Sequence, residues 1–279
     1  MSFDEFVATL SFETGSVSIA GGEVTFDLPE GWAILKGLDA RKVVEDLWGN
    51  PEDLSTLAFI DPPSDDGRLG SPYGVIVSMD ESGFVSDEDA AGNDYAEMLK
   101  EMKKGTAESN EARTAAGYPT IELVGWAEAP HYDAAEKKLY WAKELKFGGN
   151  DENTLNYDVR ILGRRGYLQL GAVSVMSYAD EVHEGMKTLL PVTNFTEGSR
   201  YDDFDSSIDK VAAYGIGGLI AGKVAAKVGL FAVIAKFGKV IVLGIIGLFV
   251  AAKKFIFGRD RNEHAYDEDE DERANPEVE

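Results

Sequence analysis

The sequence contains no cysteine. Disulfide staples, thiolate-bound zinc, iron–sulfur clusters and thiol nucleophiles are therefore excluded, and the redox compartment stays undecided. Histidine is scarce: there are only His131, His183 and His264, and none has a second histidine at metal-ligand spacing. Basic residues are outnumbered, 27 Lys+Arg against 50 Asp+Glu, for a net charge of −23. The body thus lacks the clustered cations that neutralise a phosphate backbone, and no nucleic-acid partner is expected. No phosphate loop, dinucleotide fingerprint or Gly-x-Ser-x-Gly elbow occurs, so no cofactor is expected either.

What is present is enough apolar material for a sizeable core. The chain has 279 residues, 44% hydrophobic, with 30 glycines, which excludes wholesale disorder. The charge falls into three blocks. Val211 to Arg259 has no acidic residue and seven basic ones, whereas Asp260 to Glu279 carries ten acids and two arginines. We therefore divide the chain into an acidic body (1–205), an apolar, lysine-bearing membrane segment of one or two helices (206–258), and a disordered acidic tail (259–279).

The apolar segment carries the strongest signal. Val240 to Ala252 is uncharged, and the apolar pattern reaches back through Val228–Ala235, interrupted by Lys236 and Lys239. A span needs about 20 apolar residues, so these lysines must snorkel or face a partner. Lys223 and Lys227 lie upstream under the same constraint. Three arrangements stay open: one span at 232–252 after an amphipathic helix, a hairpin of 211–233 and 238–257, or a soluble helix pair. Gly218 and Gly222 form a small-xxx-small pair, and with Gly244 and Gly247 they would let helices of neighbouring copies approach closely. The expected partners are membrane lipid and further copies of the chain. Lys253, Lys254, Arg259 and Arg261 place the C-terminus in the cytoplasm by the positive-inside rule. Met1–Phe6 shows no basic, then apolar, signal pattern, so the sidedness of the body is open.

The body reads as α+β. Ser16–Ile19 and Glu23–Leu28 alternate at the strand period around Gly21-Gly22, and Trp32–Lys36 follows the turn Pro29-Glu30-Gly31. Asp39 is placed as the N-cap of a helix ending near Trp48. Thr56–Ile60 and Tyr73–Met79 are strands. Asp87 is placed as the opening of a helix that Gly105 stops, with a short helix at 106–115. Four strand-like runs follow, Thr120–Ala129, Lys138–Phe147, Leu155–Leu162 and Tyr167–Met176. Their connectors Pro130–Asp133, Gly148–Asp151 and Arg164–Gly166 predict an antiparallel meander, with a helix at Tyr178–Leu190. An antiparallel sheet covered by helices results. Its element order and the Leu28–Trp32 turn resemble the PsbP-like sandwich.

Chemistry is thin. Asp87-Glu88-Asp89 begins like a calcium loop but has Ala91 at the fifth position and Met98 at the twelfth, where ligands belong. Trp126, Tyr132, Tyr140, Trp141 and Tyr157 concentrate in the meander, either as core or as the lining of a ligand groove. Asp133, Glu144, Asp158 and Arg160 are the residues an enzyme would draw on for acid–base work.

Several stretches occur together and in order: Leu47–Pro51, Gly83–Asp87, Gly125-Trp126, Pro130–Asp133, Leu139–Ala142, Leu155–Arg164, Arg200–Phe204, Asp209–Gly215 and Lys236–Val240. Together they resemble a bacterial domain-of-unknown-function family described as uncharacterised membrane-anchored proteins. The resemblance implies a membrane-anchored body, usually secreted across the membrane with its anchor near the C-terminus, and no activity; the expected location is the bacterial inner membrane. The expected role is a membrane-anchored interaction or structural protein. A ligand-sensing module and an enzyme are the alternatives.

Overall fold

The computed structural model describes residues 2–221 except Pro51 and Ala116. The spans and hairpin expected beyond Ala221, Gly222, Gly244, Gly247, Lys223, Lys227, Lys236, Lys239, His264 and the acidic tail all lie outside the described residues. Among the described residues no helix is long and apolar enough to cross a membrane.

The described chain is mixed α and β with antiparallel sheets. A short helix α1 (Phe3–Val7), capped reciprocally by Ser2 and Glu5, precedes the hairpin β1 (Ser16–Ile19) and β2 (Val24–Asp27). Then come β3 (Ala33–Lys36), α2 (Gly37–Arg41) running on as a π-helical stretch over Lys42–Leu47, β4 (Thr56–Asp61) and β5 (Gly74–Asp80). Helix α3 (Tyr95–Ala115) leads into the meander β6 (Ile121–Asp133), β7 (Lys138–Phe147), β8 (Thr154–Gly163) and β9 (Gly166–Val175). Helix α4 (Ala179–Leu189), β10 (Thr193–Phe195) and α5 (Ile216–Ala221) complete it. The large sheet has the order β3-β4-β5-β9-β8-β7-β6, and a smaller one the order β1-β2-β10.

The period-2 alternation of each strand gives the large sheet two faces. Leu155, Tyr157, Val159 and Ile161 of β8 point into a core shared with Val24 and Phe26 of the small sheet and with Val182, Met186 and Leu189 of α4. The opposite face is covered in pieces. The π-helical stretch brings Val43 and Val44 over Leu35 and Phe59, α3 packs Leu99 and Met102 on Leu123 and Leu145, and α5 packs Ile216 and Leu219 on Leu139 and Trp141.

Local expectations are corrected at four places. Asp39 is not an N-cap: it lies within the first turn of α2, accepting from the Ser11 amide (3.0 Å) and Lys42 Nζ (2.6 Å). Asp87 opens no helix. Asp94 accepts from the amides of Ala96 and Glu97 at 3.0 Å each and so caps α3. Gly105 stops nothing, because it is buried mid-helix and packing outweighs a glycine penalty of about 1 kcal/mol. Pro130–Asp133 is strand, not turn. β6 is an edge strand with three register shifts, which is where a sheet tolerates proline.

One buried carboxylate has a pH consequence. Asp61 is 1% exposed, 3.5 Å from Arg68, and accepts from the Leu69 amide at 3.1 Å. Burial pushes its carboxyl up to about 6, against the pull of Leu69 and Arg68. Between about pH 4 and 6 the folded state therefore holds a proton that the unfolded chain has released, so the contribution of Asp61 is most favourable below pH 4 and is lost as pH rises through about 6. Asp61→Asn should raise stability by about 2 kcal/mol at pH 8 and change little at pH 4. Thermal unfolding at both values checks this, and an equal shift at the two would contradict it.

Candidate functional site

The expected aromatic groove is divided by the pleat. Tyr140 pairs across with Val159 and Ala142 with Tyr157, so Tyr140 and Tyr157 lie on the core face, where Tyr157 is 3% exposed. Trp126, Tyr132 and Trp141 lie on the opposite face. Trp141 is 1% exposed, and the Trp126 indole donates to the Tyr95 carbonyl at 3.1 Å. His183 sits over the core face, its Nδ1 2.9 Å from Glu128. Asp133 caps the turn to β7 by accepting from Ala135 and Glu136, and Glu144 accepts from Asn153. The acids weighed for catalysis are therefore spread over the sheet.

Asp158 and Arg160 do meet, on the second face. Lys143 Nζ lies 3.0 Å and Arg160 Nη2 3.5 Å from the two Asp158 oxygens. The Arg160 guanidinium stacks over Trp141 at 5.0 Å and Tyr167 at 5.6 Å and donates to the Val159 carbonyl. Burial pushes the Asp158 carboxyl up, but Lys143 and Arg160 together outweigh it and hold Asp158 below the ordinary carboxylate range. It is an ion-paired anion at neutral pH, suited to holding cations in place and not to donating a proton.

Around this pair the floor is under-satisfied. Trp141 Nε1, Thr154 Oγ1 and Asn156 Oδ1 are buried and find no hydrogen-bond partner among the described residues. The register sets Trp141, Asp158, Gly171 and Ile76 in one row across four strands. A Cβ on Gly171 would meet nothing within 4 Å, so there is space above the centre of the sheet. Buried polar groups without partners are uncommon in native proteins, and three of them lie on this one face.

A second constellation fastens the end of the described chain to the body. Asp87 accepts from Tyr132 Oη (2.7 Å), Lys137 Nζ (2.9 Å) and Tyr201 Oη (3.1 Å). Lys137 also lies over the Tyr201 ring at 4.6 Å, and Phe84 stacks on Phe204 at 3.9 Å. Burial raises the Asp87 carboxyl, but Lys137 and the two tyrosines hold it below its ordinary value. Arg164 pairs with Asp209 at 2.7 Å, so that acid is engaged within the body. The Phe84 amide donates to Lys210 and the Ala212 amide to Phe84, both at 2.8 Å. The Ser82 and Tyr214 hydroxyls meet.

Asp89 then receives the start of α5, accepting from Ile216 N (2.8 Å) and Gly217 N (3.1 Å). A Cβ at Gly215 would collide with Asp89, and one at Gly217 with Asn93. These glycines admit the chain's own loop. At Gly218 an added Cβ would lie 2.7 Å from Tyr214 Cβ of the same chain. The calcium reading of Asp87 and Asp89 gives way to this anchoring role. No group of three or more His, Asp or Glu among the described residues is placed to hold a metal.

Sequence reasoning missed Asp87 as a node, although the signal was present. Gly83–Asp87, Pro130–Asp133 and Arg200–Phe204, three of the stretches that carry the resemblance, converge here through Phe84, Tyr132, Tyr201 and Phe204.

Fold and site define a mixed α/β body with a strap, residues 200–221, fastened to one face of its large antiparallel sheet. The chain belongs to the family described as "Protein of unknown function (DUF2167)", which matches residues 11–251. No curated protein sequence matches it. Among solved structures it is similar to cyanobacterial PsbP (CyanoP) from Synechocystis sp. PCC 6803, at 13% identity, covering 67% of this chain and 94% of that one, with a TM-score of 0.38. It is also similar to the Saccharomyces cerevisiae Ran-binding protein Mog1p, at 11% identity over 66% and 96% of the chains, TM-score 0.35. LpqN, involved in cell envelope biogenesis of Mycobacterium tuberculosis, matches at 11% identity over 70% and 98%, TM-score 0.33.

Proposed function

We propose that this protein is a membrane-anchored interaction module: an acidic body held on a bacterial inner membrane by the apolar segment that begins at α5. The observation that carries this reading is the grip of Asp89 on Ile216 and Gly217, with Ile216, Leu219 and Ile220 buried. The body is thereby mounted directly on the start of the acid-free stretch 211–259, with no slack linker between them. A fixed mounting suits a protein that must hold its recognition surface at a set orientation to the bilayer. Lysines inside an apolar stretch are costly in lipid unless shared, which favours self-association of the segment through Gly222, Gly244 and Gly247.

Carbonate extraction of membranes tests the reading. The full chain should stay in the pellet, and a variant carrying Ile245→Asp and Leu248→Asp should move to the supernatant, because each charge at a bilayer centre costs roughly 3 kcal/mol. Full-length protein in the supernatant would refute the membrane role.

A further inference from the structure

On the core side of the large sheet, away from Asp158 and the strap, a cleft of about 260 Å³ opens between α4 and the end of the β4–β5 connection. Trp32, Tyr73, Pro62 and Pro63 supply its apolar lining, and Glu181 and Glu184 of α4 its charge, with no basic side chain among the lining residues. Two glycines set its walls. A Cβ on Gly185 would strike the Tyr73 hydroxyl, and one on Gly31 would lie 2.9 Å from Pro63, so only glycine lets α4 and the Trp32 turn come this close.

Tyr73 is 5% exposed, with its hydroxyl against Gly185 of α4. Burial, with the nearby Glu181 carboxylate, pushes that phenol up to about 12, so it stays neutral and able to donate or accept. Glu184 is shared with Lys187 at 3.0 Å, whereas Glu181 is exposed and has no ion pair among the described residues. An exposed carboxylate without an ion pair, set beside two proline rings and the small exposed parts of Trp32 and Tyr73, forms a cation-accepting surface with an apolar margin. The volume is below that of most small-molecule pockets and suits one side-chain-sized group.

We propose that this cleft binds the cationic end of an alkyl chain, an ammonium or guanidinium such as a lysine or arginine side chain presents, between Trp32, Tyr73 and Glu181. The cation would approach Glu181, its alkyl stem would lie along Pro62 and Pro63, and Tyr73 Oη would complete its contacts.

The test labels the full chain, in detergent micelles, with 5-fluorotryptophan. Its four tryptophans give four fluorine resonances, assigned by single Trp→Phe variants. n-Butylammonium and n-butylguanidinium chloride are titrated at constant ionic strength, with n-butanol as the neutral control. The Trp32 resonance should move saturably with both cations and not with butanol, while Trp48 stays still. Glu181→Gln should weaken binding about fivefold, the worth of one exposed charge contact, and Tyr73→Phe should weaken it as well. Glu184→Gln should do less, since Lys187 already engages that acid. The proposal is overturned by any of three results: an equal drift of all four resonances, an equal response to butanol, or unchanged binding in Glu181→Gln.

Discussion

Asp87→Ala should free the strap from the body. Three donors, Tyr132, Lys137 and Tyr201, converge on this one carboxylate, and its side chain is 24% exposed. Hydrogen bonds to a charged group contribute about 1.5–3 kcal/mol each, and removing the anion also leaves a half-buried ammonium unpaired. Allowing for partial exposure and for sharing among the three, the expected loss is about 3 kcal/mol, roughly a hundredfold in a local opening equilibrium. The amides of Phe84 and Ala212, which hydrogen-bond across the strap, should therefore exchange with deuterium about 100 times faster, while those of β8 keep their protection. Tyr132→Phe and Tyr201→Phe should each have a smaller effect, near 1 kcal/mol. Unchanged protection at Phe84 and Ala212 would show that the rings and backbone hold the strap without Asp87. Acid should act in the same direction. The Asp87 carboxyl lies below its ordinary value in the folded state, so its stabilisation is present above that value and lost as pH falls through the folded pKa. Asp61 has the opposite sign, so lowering the pH from neutral first strengthens the β4 end of the sheet and only later loosens the strap.

The parts of this fold that were legible in the sequence are those whose cause is local. The hairpin at Gly21-Gly22, the two later meander connections at Gly148–Asp151 and Arg164–Gly166, and α4 rest on turn residues and on periodicity within a dozen positions. The order of the large sheet was not legible. β5 and β9 pair from Gly74↔Val173 to Asp80↔Tyr167, about a hundred residues apart, and a buried strand carries no mark naming its neighbour. Asp87 misled for a related reason: an aspartate before a polar run is a sound cap by local rules, but its partners lie 45, 50 and 114 positions away. Tertiary donors outbid the local ones, and Asp94 took the cap. Of the two readings of the aromatics, core or groove, one groove lined by all five is ruled out by the pleat, and Trp141 and Tyr157 are core. Tyr140 and Trp141 are adjacent in a strand, so the period of two already sends them to opposite faces. The same alternation, applied to Thr154, Asn156, Asp158 and Arg160, was the available signal for the polar floor.

Gly166→Ala should be the most damaging single-methyl change in the body, costing about 4 kcal/mol or abolishing folding. Gly163 and Gly166 close the β8–β9 hairpin around Arg164-Arg165, and the next residue, Tyr167, pairs with Asp80. A Cβ at 166 would run into the Asp80 carbonyl oxygen, 2.8 Å from its carbon and 3.1 Å from Glu81 Cα. These are backbone atoms at the end of β5, and they cannot yield without parting β5 from β9 along seven paired positions. Two neighbouring glycines provide the comparison. At Gly163 the obstacle is the Phe195 ring, with contacts of 2.7–2.9 Å, and a ring can turn, so Gly163→Ala should cost less, about 2 kcal/mol. At Gly171 a methyl meets nothing, so Gly171→Ala should lie within about 0.5 kcal/mol of the parent. Thermal unfolding of the three variants should rank them 166, 163, 171 from least to most stable. If Gly171→Ala proved as damaging as Gly166→Ala, there would be no free space over the middle of the sheet. The floor formed by Lys143, Asn156, Asp158 and Gly171 would then be closed packing.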